Sequence, residues 1–211
     1  MLIVVRHGQS VANLEGKYAG HYNTPLTESG RLQAEKSAEY VAENYKIDAV
    51  YSSDLDRAYE TAKALGDKVG LEVVKMEEIK EIYCGKWEGE KVLDVAVKYA
   101  KDYNDWVDDL SKCRPTGGES VKELYERVIT AFEKLAKENV GKTAYVATHG
   151  TPIRVLMAQT SGAGLENLKD VPWASNASLT FIDYKDGKLV AEKTGFDEHL
   201  GEMRTYLPKG V

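Results

Sequence analysis

Two cysteines, Cys84 and Cys113, are all that the 211 residues contain. They lie far apart and form no C-x-x-C pair, which favours two reduced thiols in a cytoplasmic protein over a disulfide framework or a cysteine metal site. No apolar run approaches the roughly 18 residues needed to span a membrane. The only apolar run ahead of Arg6 is four residues long and no basic residue precedes it, so a secretory signal is not expected. Basic clusters are also missing. The net charge is −6 and the isoelectric point is near 5.4, which argues against a nucleic-acid surface. The four histidines are scattered at 7, 21, 149 and 199, without metal-ligand spacing, so no metal and no cofactor are expected. There is no internal repeat, and the acidic run "DYNDWVDD" reads as a solvated helix face.

What is present is an ordinary globular composition. With 43% hydrophobic and 29% charged residues, the chain has enough apolar side chains for one core. Its length suits a single domain over 1–211. Residues 2–6 read as a short buried strand. Thr27 is placed to cap a helix to about Tyr45, since Ala34, Ala38, Val41, Ala42 and Tyr45 fall on one face. "DAVYSS" (48–53), "LEVVK" (71–75) and "TAYVAT" (143–148) read as further strands, with helices from about Asp54 and over Thr151–Thr160. A hairpin is expected around Asp186-Gly187. This alternation predicts an α/β fold, a three-layer arrangement with a mostly parallel central sheet flanked by helices. Helices near 91–110 and 119–139 interrupt it, and a small helical cap is expected around 85–120. The tail from His199, with Arg204, Tyr206 and Leu207, is expected to fray as termini do.

Two strands end alike, "LIVVRHG" and "TAYVATHG". Ligands of open α/β sheets bind beyond the carboxyl ends of the strands, so His7 and His149 are expected to meet there. A third strand, in "DAVYSSDLDR", delivers Arg57 to the same edge. Phosphate explains this collection. Arg6 and Arg57 supply planar forks that grip phosphate oxygens, and His149 adds a donor. Backbone N–H groups of the helix starting near Gly150 form an anion site. A neutral histidine is a competent nucleophile toward phosphorus when its other ring nitrogen is held by a hydrogen bond. Fixed cations can stabilise phosphoryl transfer without a metal.

"RHGQS" with Asn13, "SSDLDRAYETA", "KEIYCGKWEG" and "THGTPIR", in this order and at these spacings, resemble the histidine phosphatase superfamily. That family includes cofactor-dependent phosphoglycerate mutases and many small-molecule phosphatases. The resemblance implies that His7 is the nucleophile that becomes phosphohistidine. It implies that Arg6, Arg57 and His149 bind the phosphoryl group, with Asn13 and the Gly150 backbone assisting. Glu81 would be the general acid; its acidic neighbours would otherwise read as surface charge.

The same resemblance bears on hydrolysis against isomerisation. Family mutases have an arginine after the acid and an Arg-Arg pair in the cap. Here Ile82 follows Glu81, and "DLSKCRPTGGES" offers only Lys112 and Arg114. A metal-independent phosphomonoesterase acting on a small metabolite is therefore favoured. A cofactor-dependent phosphoglycerate mutase and a non-catalytic phospho-ligand binder are the alternatives. The expected partners are a small phosphomonoester and the inorganic phosphate it releases, with no nucleic acid and no membrane; a homodimer stays open. Ala19 stands where the family carries a glutamine or threonine, and Asn23 where an aspartate is common. Gly20, His21, Tyr83 and Trp87 are the candidate specificity positions. Helical spacing assigns Tyr99, Tyr103 and Trp106 to core packing, and Asn176 and Ser178 are candidates to brace the first histidine's loop.

Overall fold

At the centre of the computed structural model, which describes residues 1–205, lies a six-stranded sheet. Its strands are β1 (Leu2–Arg6), β2 (Ala49–Ser53), β3 (Val73–Met76), β4 (Ala144–Thr148), β5 (Leu179–Lys185) and β6 (Lys188–Phe196). Their spatial order is β3-β2-β4-β1-β5-β6. The pairs β2–β3, β2–β4 and β1–β4 are parallel, whereas β1–β5 and β5–β6 are antiparallel. Arg6 pairs with Thr148 and Ser52 with Ala147, so β1, β4 and β2 finish side by side at one edge. Asp186 and Gly187 close the β5–β6 hairpin, both at positive φ as a two-residue primed turn requires.

The helices are α1 (Val11–Leu14), α2 (Glu28–Asn44), α3 (Asp56–Val69), α4 (Val92–Lys98), α5 (Ala100–Asp108), α6 (Val121–Glu138) and α7 (Gly150–Thr160). Alternation along β1 divides them between the sheet faces. Ile3 and Val5 pack in one cluster with Ala38 and Val41 of α2 and Ala62 and Leu65 of α3. Leu2 and Val4 pack in the other with Val128 and Phe132 of α6 and Ile153 and Leu156 of α7. A strand buried on both faces reads as a continuous apolar run, which is what residues 2–5 are. Thr27 caps α2 through the Gly30 N–H, and Ser120 with Glu123 forms a capping box on α6.

The segment between β3 and α6 forms the cap. The helix expected over 91–110 is two helices, because the chain turns at Tyr99 (φ −130°, ψ 41°). The turn lets Val95 of α4 and Trp106 of α5 enter one cluster with Trp87, Leu110 and Cys113. The tail does not fray over its described part. Gln33 Nε2 donates to Met203 O (2.7 Å), Ser37 Oγ and His199 Nε2 are 2.8 Å apart, and Arg204 Nε donates to Asp197 O (3.1 Å). Tyr206 and Leu207 lie outside the described residues. Among the described residues no helix is long and apolar enough to cross a membrane.

Candidate active site

The end of β1 is held from several sides at once. His7 N–H donates to Thr148 O (2.9 Å), carrying the β1–β4 pairing one residue past the strand. Ala177 N–H donates to Arg6 O (2.9 Å), and Asn176 Nδ2 donates to His7 O (3.1 Å). Ala177 holds φ at 56°, a strained value for alanine, while its own carbonyl accepts from Ser37 Oγ (2.8 Å). Gly8 lies against the first turn of α2. A Cβ at Gly8 would collide with the Gly30 carbonyl, and one at Gly30 with the Gln9 carbonyl, so both glycines are needed for this approach.

This frame fixes how the first histidine carries its proton. His7 Nδ1 lies 2.7 Å from Gly8 O, and a carbonyl only accepts, so Nδ1 is the protonated nitrogen and the lone pair sits on Nε2. Burial pushes the His7 pKa well below the ordinary histidine value, and the nearby charges of Arg57 and Arg6 lower it further. The His149 ring stands edge-on to it, 5.1 Å between centroids. Its Nε2 is 2.8 Å from Ser53 Oγ at the end of β2. Ser53 Oγ also accepts the Leu55 N–H (3.4 Å) and keeps its own hydrogen to give; donated to His149 Nε2, it puts the ring proton on Nδ1. Burial first, then Arg57, hold His149 neutral as well.

Two guanidinium groups flank these rings. Arg6 Nη1 donates to Ala174 O (2.6 Å), and Arg57 donates from Nη2 to Gly20 O (2.7 Å) and from Nη1 to Tyr22 O (3.2 Å). The Nε–H of each is buried with no hydrogen-bond partner among the described residues, as is His149 Nδ1. Burial lowers both arginines to about 10, partly offset by the Glu81 carboxylate, so both stay cationic at neutral pH. Asn13 Oδ1 accepts from Ser10 N–H (3.1 Å) and Asn176 Nδ2 (3.2 Å), which leaves its amide NH2 as the free end. Glu81 accepts at Oε1 from Ile82 N–H (2.8 Å) and at Oε2 from Thr151 N–H (3.4 Å) in the first turn of α7.

These groups surround a cavity of about 80 Å³. Arg6, His7, Asn13, Gly20, Arg57, Glu81 and Gly150 line it, and His149 is fully buried beside His7 with its Nδ1 unpartnered among the described residues. Three specificity candidates do not line this cavity. Trp87 is fully buried against Tyr18 and Trp106, with its indole N–H on Thr116 Oγ1 (3.3 Å), so it belongs to the cap core. Tyr83 is exposed and off the cavity wall. The His21 ring sits beside Tyr83, off the wall, 2.8 Å from Glu81 O. Trp106 packs in the core as its spacing implied, but it also forms part of the wall. Sequence reasoning missed Lys17, Tyr18, Ile82, Cys84, Thr151 and Trp173 on the wall, and Ser53 behind it. Ser53, Ile82, Cys84 and Thr151 lie inside the quoted motifs, but no charge or ring distinguished them there, and Lys17, Tyr18 and Trp173 lie outside those motifs. Burial, then Glu81 and Glu88, push the Cys84 thiol far up, so it serves as a small neutral wall group. Among the described residues no group of three or more His, Cys, Asp or Glu is arranged to hold a metal ion.

The profile of the histidine phosphatase superfamily (branch 1) matches residues 2–197. The chain belongs to this superfamily. Within the superfamily it is 33% identical to phosphoserine phosphatase 1 of Hydrogenobacter thermophilus, covering 100% of this chain and 99% of that one. It is 38% identical to phosphoglycerate mutase-like protein 4 of Arabidopsis thaliana, covering 95% of this chain and 87% of the other. Among solved histidine phosphatase-like structures, Bacillus stearothermophilus YhfR superposes with a TM-score of 0.89 at 26% identity, over 94% of this chain and 98% of that one.

Proposed function

We propose that this enzyme of the histidine phosphatase type hydrolyses a small phosphomonoester in two transfers, first to His7 Nε2 and then to water. The observation that carries the reading is one cavity walled by a neutral histidine with its lone pair on Nε2 and two buried guanidinium groups. Each guanidinium keeps an Nε–H without a partner among the described residues. Arg6, Arg57, His149 Nδ1–H and the Asn13 amide hold the phosphoryl oxygens, helped by the N–H groups that open α7. His7 Nε2 attacks phosphorus as the ester P–O bond breaks, and the Glu81 carboxyl gives its proton to the departing oxygen. The Glu81 carboxylate then takes a proton from water, whose oxygen attacks phosphorus. The P–N bond breaks, and phosphate leaves a neutral His7. Fixed cations supply the charge stabilisation, so no metal is needed. In this reading residues 1–211 act in the cytoplasm as one domain, with 85–120 as its cap.

Water is favoured over a second sugar-acid oxygen as acceptor because the cap's basic pair is engaged elsewhere. Lys112 pairs with Asp109 (2.7 Å) and Arg114 with Glu123 (2.7 Å), and neither lines the cavity. The likeness to a protein named phosphoserine phosphatase puts phosphoserine in the first panel of substrates. The test is phosphate release from phosphoserine, 3-phosphoglycerate and sugar phosphates, with and without catalytic 2,3-bisphosphoglycerate and with EDTA present. Free phosphate without isomerisation, unaffected by EDTA, is the expected result. Isomerisation with little phosphate would assign the chain to the mutases, and loss with EDTA restored by added metal would refute the metal-free mechanism.

A further inference from the structure

Glu81 sits in a segment with no strand or α-helix to satisfy its backbone, and one side chain replaces the missing ladder. Arg127 of α6 donates from Nη1 to Glu78 O (2.9 Å) and Lys80 O (3.0 Å), and from Nη2 to Glu81 O (2.9 Å). The carbonyl between them, Ile79 O, accepts from Thr148 Oγ1 at the end of β4 (2.6 Å). Four consecutive carbonyls are thus held, three of them by one guanidinium. Glu119 fixes that guanidinium from the other side, accepting from Nε (2.6 Å) and Nη2 (2.8 Å) in a two-pronged pair. Glu119 Oε2 also accepts the Tyr83 N–H (3.3 Å), and the Glu119 N–H donates to Tyr83 O (2.8 Å). The pair therefore ties the segment 78–83 both to α6 and to the end of the cap.

We infer that Arg127, oriented by Glu119, is a positioning residue for the Glu81 carboxyl. The inference rests on the reading of Glu81 as general acid. Arg127 and Glu119 do not line the cavity, so they act through the backbone from which Glu81 projects. The pair is poorly exposed, with side-chain exposures of 24% and 16%, so solvent screens it less than the surface ion pairs of the cap. A lysine supplies one point charge where the fork spans three carbonyls, so Arg127→Lys is not a conservative change here.

The test separates a misplaced acid from a weakened fold. For purified Arg127→Gln, Arg127→Lys and Glu81→Gln, kcat/KM is measured on p-nitrophenyl phosphate and on an alkyl phosphomonoester. The nitrophenolate leaves without a proton, whereas the alkoxide needs one. General-acid catalysis is worth about 10²–10⁴-fold, and Glu81→Gln is expected to lose most of it on the alkyl ester alone. Arg127→Gln is expected to lose about tenfold or more on the alkyl ester and much less on the nitrophenyl ester, since small misplacements of a catalytic group cost rate steeply. Arg127→Lys falls between parent and Arg127→Gln, and inhibition by orthophosphate is unchanged in the two Arg127 variants. Equal losses on both esters in Arg127→Gln, with the selective loss present in Glu81→Gln, overturn the positioning role and leave the acid reading standing. Equal losses in Glu81→Gln itself overturn the acid reading and the positioning role together. Should Arg127→Gln not fold, Glu119→Gln is scored by the same ratio, and an unchanged ratio there overturns the inference.

Discussion

The two sides of the cavity are built on opposite rules. On the sheet edge the charged and titratable groups are buried and held by backbone distant in sequence: Arg6 by Ala174 O, Arg57 by Gly20 O and Tyr22 O. On the cap side the charges face solvent and pair locally, as in Lys112–Asp109 and Lys101–Asp105. What the cap turns toward the cavity is aromatic, Trp106, with Tyr18 and Trp173 beside it. Burial strengthens each charge and fixes its geometry, whereas an exposed pair adds only about 0–1 kcal/mol and is screened by salt. The edge is thus suited to the chemistry that all phosphomonoesters share, and the cap side to whatever the phosphate is attached to.

That contrast is sharpest at Arg57. Arg57→Met removes a buried guanidinium from the cavity wall; if it grips the phosphoryl group as proposed, kcat/KM falls about 10²–10³-fold, the usual cost of losing one transition-state donor. Vanadate or phosphate should also stop raising the melting temperature of this variant. A loss below tenfold would mean that the sheet edge is not where the phosphate binds.

The next effect is on pH. His7 and His149 are depressed below 6.5 by burial first and by their cationic neighbours second. In the unfolded chain both protonate near 6.5. The unfolded state therefore binds more protons below that value, and stability conferred by the neutral rings is whole above 6.5 and declines as the pH falls toward the native values. Melting curves at descending pH should show this loss, and it should shrink in the His149→Gln variant. The acid limb of kcat/KM, which reports the free enzyme, should likewise lie below 6.5. A limb above 6.5 would contradict a neutral His7.

How far the sequence already disclosed this site follows the same division. Arg6, His7 and His149 were legible because strand ends announce themselves, an apolar run stopping at a histidine and a glycine, and Arg57 because it opens the helix after a third such strand. The sheet order was not written there, but the shared ending of "LIVVRHG" and "TAYVATHG" was enough to expect one edge. The cap was less readable. Trp87 shows no sign in sequence of being buried, since an aromatic beside a motif suits a core and a pocket equally. Arg127 was invisible for a different reason: its partners are main-chain carbonyls, which carry no residue signature. The break at Tyr99 lacks the glycine or proline that would have announced it.

The smallest expected effect lies in the cap. Lys112→Ala and Arg114→Ala remove exposed charges paired at the surface and should change kcat/KM less than about twofold and leave the melting temperature close to the parent's. A large rise in KM for one anionic substrate in either variant would show that the cap basic pair reaches the ligand after all, and would erase the contrast drawn here.

The most direct test is to trap the intermediate. Parent protein mixed with a radiolabelled phosphomonoester and quenched within the first turnover should carry label that survives base and is lost in acid, as a phosphoramidate does. Peptide mapping should place it on His7, and His7→Ala should carry none while its turnover falls by about 10⁴-fold or more. Label on another residue, or parent-like phosphate release from His7→Ala, would contradict the account.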